Sequence, residues 1–298
     1  MNTKSKVTVR CCLVIAGFSL FLPALSPLKA QLPSLTANQV IARIRDNSGV
    51  DWNSNTVDIF KAGNPDNPVT GIITTMFATY DILKQAVASR CNLVIVHEPT
   101  FYNHLDDTVG FVKYGDRVYA DKRKYIEDNN LVIWRFHDHI HMLRPDGITA
   151  GVVNRLGWKK FQDPANENLF KLPETSVRDL AAAVKKSLCI SALRVIGNPD
   201  LRVTRVGLAP GAPGSDSQIY ALEQDEVEVL LIGESPEWET IEYARDAADQ
   251  GKRKAVIILG HVPSEEAGME ECARWLRNFI TEVPIRYVQT PEPYWVVK

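Results

Sequence analysis

Of the six histidines in this 298-residue chain, five stand at the ends of predicted strands. Leu93-Val94-Ile95-Val96 runs into His97-Glu98-Pro99, and Leu131-Val132-Ile133-Trp134 runs into His137-Asp138-His139-Ile140-His141. Ala255–Leu259 runs into Gly260-His261, followed by Ser264-Glu265, and Val227–Ile232 ends in Gly233-Glu234. Imidazole with carboxylate and no thiolate is a donor set for zinc, manganese, iron, cobalt or nickel rather than for an iron–sulfur cluster. Five or six such groups exceed what one tetrahedral ion needs and suit a pair. Two ions about 3.5–4 Å apart lower the pKa of a bridging water and clamp the oxygens of a hydrolytic transition state. His97, His141 and His261 are the foremost ligand candidates. Within the run after the second strand the choice lies between His137 with His141, and His139 alone. His104 keeps company with Asp106 and Asp107 in a polar loop and reads as solvated, as does Glu266 beside Glu265.

Such positions need a scaffold that brings distant strand ends together. Apolar bursts alternate with amphipathic stretches, the pattern of an α/β protein. In open α/β sheets ligands bind beyond the carboxyl ends of the strands. Strands are predicted over Thr70–Phe77, Leu93–Val96, Leu131–Phe136, Leu193–Ile196, Val203–Leu208, Val227–Ile232, Ala255–Leu259 and Ile285–Val288. Helices are expected over Asp81–Ala88 and Ser176–Leu188. A third has Ser235 as N-cap and Pro236 at its first position and ends near Gly251; a fourth starts at Met269 and buries Cys272. The polar stretch Phe161–Asn168, with Pro173, divides the chain into lobes of 31–165 and 166–298. After Val203–Leu208 comes Ala209-Pro210-Gly211-Ala212-Pro213-Gly214-Ser215-Asp216-Ser217. Strand, glycine-rich loop and helix start together offer backbone N–H groups to an anion.

Composition narrows the partners. With 34 basic against 36 acidic residues and a net charge of −2, the chain lacks the basic excess of a nucleic-acid binder. Lys4, Lys6, Arg10 and Lys29 all fall in the first thirty positions, which hold no acid, so the remainder is more acidic still. The first three precede an apolar run, Cys11–Leu25, and then Ser26-Pro27-Leu28-Lys29-Ala30. A basic start, an apolar run and a small residue before the cut describe a secretory signal over 1–30. The run is short for a membrane span and contains Pro23. The expectation is an exported protein, periplasmic or secreted, with no stable membrane span after cleavage. Beyond it, Cys91, Cys189 and Cys272 make neither a disulfide framework nor a thiolate zinc site.

These residues, in this order, resemble the NIF-three-like family of dinuclear-metal-centre hexameric proteins, also described as a type-two form of GTP cyclohydrolase one. The resemblance runs from Thr36-Ala37-Asn38-Gln39-Val40-Ile41 to Pro291-Glu292-Pro293-Tyr294-Trp295. Where the family has a strand followed by two histidines and a proline, His97 and Pro99 match and Glu98 replaces the second histidine. His137 and Leu156-Gly157 fit the next stretch, with His141 where an aspartate is usual. Gly260-His261-Val262-Pro263-Ser264-Glu265 keeps the Gly-His-x-x-Ser/Thr-Glu pattern, and Gly233-Glu234 resembles its Thr-Gly-Glu. Met76 stands where the family often has an aspartate.

The resemblance implies a two-lobed α/β fold with mixed sheets flanked by helices, a metal site between the lobes, and a ring-shaped homo-hexamer. It also implies a ligand set of His97, Glu98, His141, His261 and Glu265 for two divalent transition metal ions such as zinc, iron or manganese. On this reading the protein is a metal-dependent hydrolase of a small-molecule substrate. Glu234 or His137 would carry the proton, and Arg144 with the Gly211, Gly214 and Ser215 loop would receive an anionic group. The alternative is a non-catalytic metal-binding or partner-binding ring of the cell envelope.

Overall fold

A computed structural model of the chain describes residues 1–2 and 35–297. All but the first two residues of the anticipated signal segment lie outside the described residues. Ten strands among the described residues sort into two five-stranded sheets. The first holds β1 (Phe60–Ala62), β2 (Ile72–Thr75), β3 (Leu93–Val96), β4 (Val132–Arg135) and, from the far end of the chain, β10 (Ile285–Tyr287). Its order is β1-β4-β3-β2-β10, parallel except for the antiparallel edge strand β1. The second holds β5 (Leu169–Ser176), β6 (Arg194–Ile196), β7 (Arg202–Ala209), β8 (Val229–Ile232) and β9 (Ala255–Ile258). Here three parallel strands, β7-β8-β9, are flanked by antiparallel edges β5 and β6.

Ten α-helices among the described residues connect and cover the sheets: α1 (Ala37–Ser48), α2 (Tyr80–Ala88), α3 (Val109–Lys113), α4 (Arg117–Asp128), α5 (Asp138–Met142), α6 (Gly147–Leu156), α7 (Val177–Ser187), α8 (Ser215–Glu223), α9 (Glu242–Asp249) and α10 (His261–Leu276). The parallel strands are apolar on both sides because both faces are covered. In the first sheet Ile72, Leu93 and Ile95 face a core shared with α1 and α10, while Ile73, Val94 and Val96 face α2 and α4. In the second, Val206, Val229 and Ile257 pack with α7, and Leu230 and Val256 pack with α8 and α9. The fold is therefore the expected mixed α/β arrangement of two mixed sheets flanked by helices.

Helices α6 and α10 contribute side chains to the cores of both sheets. They cross at very short range, through facing glycines. A Cβ on Gly151 would lie 2.3 Å from the Ala267 carbonyl oxygen, and one on Gly268 would lie 2.4 Å from Ile148 Cα. This crossing joins the stretch after β4 to the helix that follows β9.

Three local readings are corrected by the structure. Pro173 lies inside β5, not at a break; β5 is an edge strand with an irregular register between Lys171 and Thr175, where a missing N–H is tolerated. Ser235 does not cap the third helix: Pro236 is still extended (ψ 138°), and a π-helical turn at Glu237–Ile241 leads into α9. The fourth helix begins at His261 rather than Met269, because Pro263 falls in its first turn, where no intrahelical N–H is required.

Candidate metal centre

Both sheets end their parallel strands at one place. β3 delivers His97 and Glu98; β4 delivers His137 and, through α5, His141; β9 delivers His261 and, one helical turn on, Glu265. The His261 Nε2 atom lies 3.0 Å from Glu98 Oε1 and 3.1 Å from Glu265 Oε2. His97 Nε2 is 3.7 Å from Glu265 Oε2 and 3.9 Å from Glu98 Oε1, and His137 Nε2 is 3.8 Å from the same Glu98 oxygen. Ligand atoms of His97, His137 and His141 lie within 4.8 Å of one another, as do those of His97, Glu98 and Glu265. The two sets meet at His97. The described residues thus hold a His/Glu cluster able to bind metal.

Every imidazole in the cluster turns Nδ1 away from the centre and onto an oxygen. His97 Nδ1 meets the Phe136 carbonyl at 3.1 Å, His137 Nδ1 meets Asp138 at 2.9 Å, and His141 Nδ1 meets Asp146 at 2.8 Å. His261 Nδ1 lies 3.3 Å from Glu234 Oε1. An acceptor at Nδ1 demands the proton there, which leaves the Nε2 lone pair for an electrophile at the centre; metal-binding histidines are held in this way. His97 Nε2 is buried without a hydrogen-bond partner, and Glu265 Oε2, equally buried, has only the His261 and His97 imidazole nitrogens near it, at 3.1 and 3.7 Å. Buried polar atoms so poorly answered are rare, and cations bound at the cluster are the simplest way to satisfy them.

The sequence sets up this geometry locally. The Asp58 carboxylate, completely buried, accepts the backbone N–H groups of His137, Asp138 and His139 at 2.6, 3.0 and 2.9 Å. It thereby ends β4 and starts α5. In a helix, residues four apart share a side, so His137 and His141 face the centre while His139 faces away. His139 pairs with Asp58 and stacks on Trp52. Asp146 does two jobs: one carboxylate oxygen holds His141 and the other caps α6 at Ile148 and Thr149. Arg135, fully buried, bonds the carbonyls of His97 and His104 and reaches Glu98 Oε2 at 3.2 Å. Only Glu98 Oε1 is left to face the cluster.

Charge follows from the same contacts. Burial alone raises the pKa of Glu98, but the His261 bond and the surrounding imidazoles outweigh it and bring the pKa down to about 2. Burial disfavours protonated His261, yet the bonds to Glu265 and Glu98 prevail and raise its pKa to about 11. His97 goes the other way, driven well below its ordinary value by burial and then by His141. A proton on His261 therefore holds the two carboxylates together when nothing else does.

Other anticipated site residues are placed variously. Glu234 reaches the edge of the cluster through His261 and is more than half exposed, as a proton carrier would need. Gly211 touches the cluster for another reason than expected: its N–H is taken by Ser264 Oγ at 2.9 Å, and a Cβ on it would lie 2.2 Å from Glu265 Oε1. It makes room for the carboxylate and offers no amide to an anion. Gly214 and Ser215 lie in a separate cavity with Trp238 and Tyr243, and Arg144 turns its guanidinium onto the His141 and Leu143 carbonyls. His104 is exposed, as anticipated, but Glu266 is not: it is buried and accepts the Thr290 N–H. Sequence reasoning missed Asp58, Asp146 and Arg135. Only Asp146, five residues from His141 and just ahead of a helix, carried a local signal.

Comparison with known proteins identifies the family and the fold. A bacterial relative, the "GTP cyclohydrolase 1 type 2 homolog" of Clostridium acetobutylicum, is 24% identical over 214 residues, 68% of this chain and 75% of the relative. The crystal structure of a Bacillus cereus protein related to NIF3 superposes with a TM-score of 0.72 at 13% identity, covering 89% of this chain and 99% of that one. A hypothetical protein of Staphylococcus aureus gives a TM-score of 0.68 at 13% identity, covering 89% of this chain and 100% of that one. The family described as Duf34/NIF3 (NGG1p interacting factor 3) matches residues 39–293. With a shared fold and a family match over most of its length, the chain belongs to the Duf34/NIF3 family.

Proposed function

We propose that the cluster holds two divalent transition metal ions and that the protein is a metal-dependent hydrolase of a small substrate. The observation that carries this is the set of four imidazoles, each with Nδ1 turned onto an oxygen, around the unpartnered His97 Nε2 and the buried carboxylate of Glu265. Because the Phe136 carbonyl occupies His97 Nδ1, His97 has one lone pair and serves one ion. Six donors then divide into three imidazoles, His97, His137 and His141, and one imidazole with two carboxylates, Glu98, His261 and Glu265. When bound, such a pair supplies a water acidic enough to act as nucleophile near neutral pH and positive charge for the developing oxyanion. Arg135 holds Glu98 with one oxygen inward, Asp58 holds the turn that carries His137 and His141, and Gly211 leaves space for Glu265. Glu234, exposed beside His261, moves protons between the site and solvent.

This assigns His137 to the ligand set alongside His97, Glu98, His141, His261 and Glu265, and leaves Glu234 as the proton carrier. Residues 1–30 are read as an export signal, and the working form as a homo-oligomeric ring. Elemental analysis of the purified protein tests the centre. About two transition metal ions per chain, lost in His261→Ala, are expected; a chain with no bound metal and no change on His261→Ala overturns it. A screen of phosphoester, cyclic amidine and peptide substrates, run against Glu265→Ala, tests hydrolysis. Bound metal with no turnover on any of them favours the non-catalytic ring.

A further inference from the structure

A cavity of about 490 Å³ opens beside the cluster, with Glu98 in its wall together with Phe77, Tyr80, Thr100, Tyr102 and Lys122. Lys122 is a buried lysine. Its ammonium donates to the Thr100 carbonyl at 2.6 Å and lies 5.0 Å from the centre of the Tyr102 ring. It forms no ion pair among the described residues, and Asp106, the acid acting on it, is already paired with Lys61 at 3.3 Å. A buried ammonium without a counter-charge is costly, and burial pushes the Lys122 pKa down to about 8. Thr100 lines the same cavity, and its hydroxyl, buried just behind the wall, has no partner either. The N-terminus of the nine-residue α2, at Thr79 and Tyr80, opens on the cavity with the positive end of its dipole. The one acid in the wall, Glu98, is neutralised by Arg135 and His261.

We propose that this cavity seats the oxyanion, phosphoryl or carboxyl, of a small substrate with a planar apolar body. Lys122 and Thr100 hold the oxyanion, and Phe77, Tyr80 and Tyr102 pack on the body. Thr100 follows Glu98 by two residues, so the two backbones are at most about 7 Å apart. The oxyanion therefore sits a few bonds from the group presented to the cluster. This names the substrate class for the proposed hydrolase and rests on that reading for the reaction, though not for binding.

The test is equilibrium binding of phenyl phosphate, benzoate, inorganic phosphate and phenol to the full chain, metal-loaded and metal-stripped. Phenyl phosphate or benzoate is expected to bind most tightly, whichever it is naming the oxyanion, and phenol least. Lys122→Met should weaken the charged ligands by roughly ten- to a hundredfold, the loss of one charge-assisted bond, while bound metal stays unchanged. On the wild-type chain, saturating phenyl phosphate should protect Lys122 from acylation, read by peptide mass, which requires no variant to fold. Phenol binding as tightly as phenyl phosphate, oxyanion binding indifferent to Lys122→Met, or an unprotected Lys122 would each overturn the seat. Oxyanion binding that persists in a chain that takes up no metal supports the seat and sinks the hydrolase reading alone.

Discussion

His97 and His139 are both completely buried, and both present Nδ1 to an oxygen. At His139 both ring nitrogens are satisfied. Its Nε2 accepts the Asn53 N–H at 2.9 Å, its Nδ1 meets Asp58 at 2.7 Å, and its ring stacks 3.7 Å from Trp52. Around His97 the Nε2 atom is orphaned and faces the buried Glu265 Oε2 at 3.7 Å, beyond hydrogen-bond reach. One imidazole is part of the scaffold; the other waits for an electrophile. Burial alone does not separate them, whereas an unanswered buried lone pair does.

The sharpest way to break this comparison is to remove each ring. His97→Ala should abolish bound metal by elemental analysis. His139→Phe should keep the metal but lose about 2–4 kcal/mol of stability in urea denaturation, because Asp58 is left buried without its imidazole. Metal retained in the first and lost in the second would reverse the assignment. Gly211→Ala comes next. Its Cβ would press on Glu265 Oε1, and the residue sits at φ +63°, so metal affinity should fall by about ten- to a hundredfold while the His139 niche is untouched.

The metal-free protein should also carry a pH signature. His97, with its pKa held far below 6.5, binds its proton only on unfolding, so stability drops as pH falls below about 6.5. Glu98 adds to that acid limb below its ordinary 4.5 as pH falls toward about 2. His261 does the opposite: its contribution is complete below 6.5 and is lost as pH rises toward about 11. Urea midpoints from about pH 5 to about pH 10 should trace both limbs, and His261→Ala should flatten the alkaline one. The smallest effect belongs to Arg144→Ala, expected within about 0.5 kcal/mol of wild type with metal content unchanged. A loss of metal there would mean that the guanidinium reaches the cluster.

The strand ends were legible because each is a continuous apolar run that stops at a polar residue, and a parallel strand covered on both faces must read so. What lay hidden was the support behind the ligands. Asp58 acts on a turn 79 residues away, and nothing near it in the chain announces that role. Arg135 reads as one more residue near the end of the predicted strand Leu131–Phe136. Glu266 reads as solvated while the fourth helix is expected only from Met269, which leaves Glu265 and Glu266 outside it. On a helix the two side chains diverge by about 100°, so one enters the cluster and the other the protein interior. Glu98 and His141, two of the three positions that depart from the pattern the resemblance implies, both fall inside the cluster, each with a partner of its own in Arg135 and Asp146.

The pairing of β10 with β2 sets a schedule for the chain. His97, Glu98, His137 and His141 all come from its first half, yet the sheet beneath them lacks its fifth strand until residues 285–287 have been made. Between these lies α10, which brings His261 and Glu265 and is clamped to α6 by facing glycines. During synthesis the early half can collapse but cannot complete its centre. A chain cut short before His261 would present three of the four imidazoles, and one cut between Leu276 and Ile285 would carry all six donors above a sheet with an unfinished edge, so the complete donor set and the complete scaffold arrive separately.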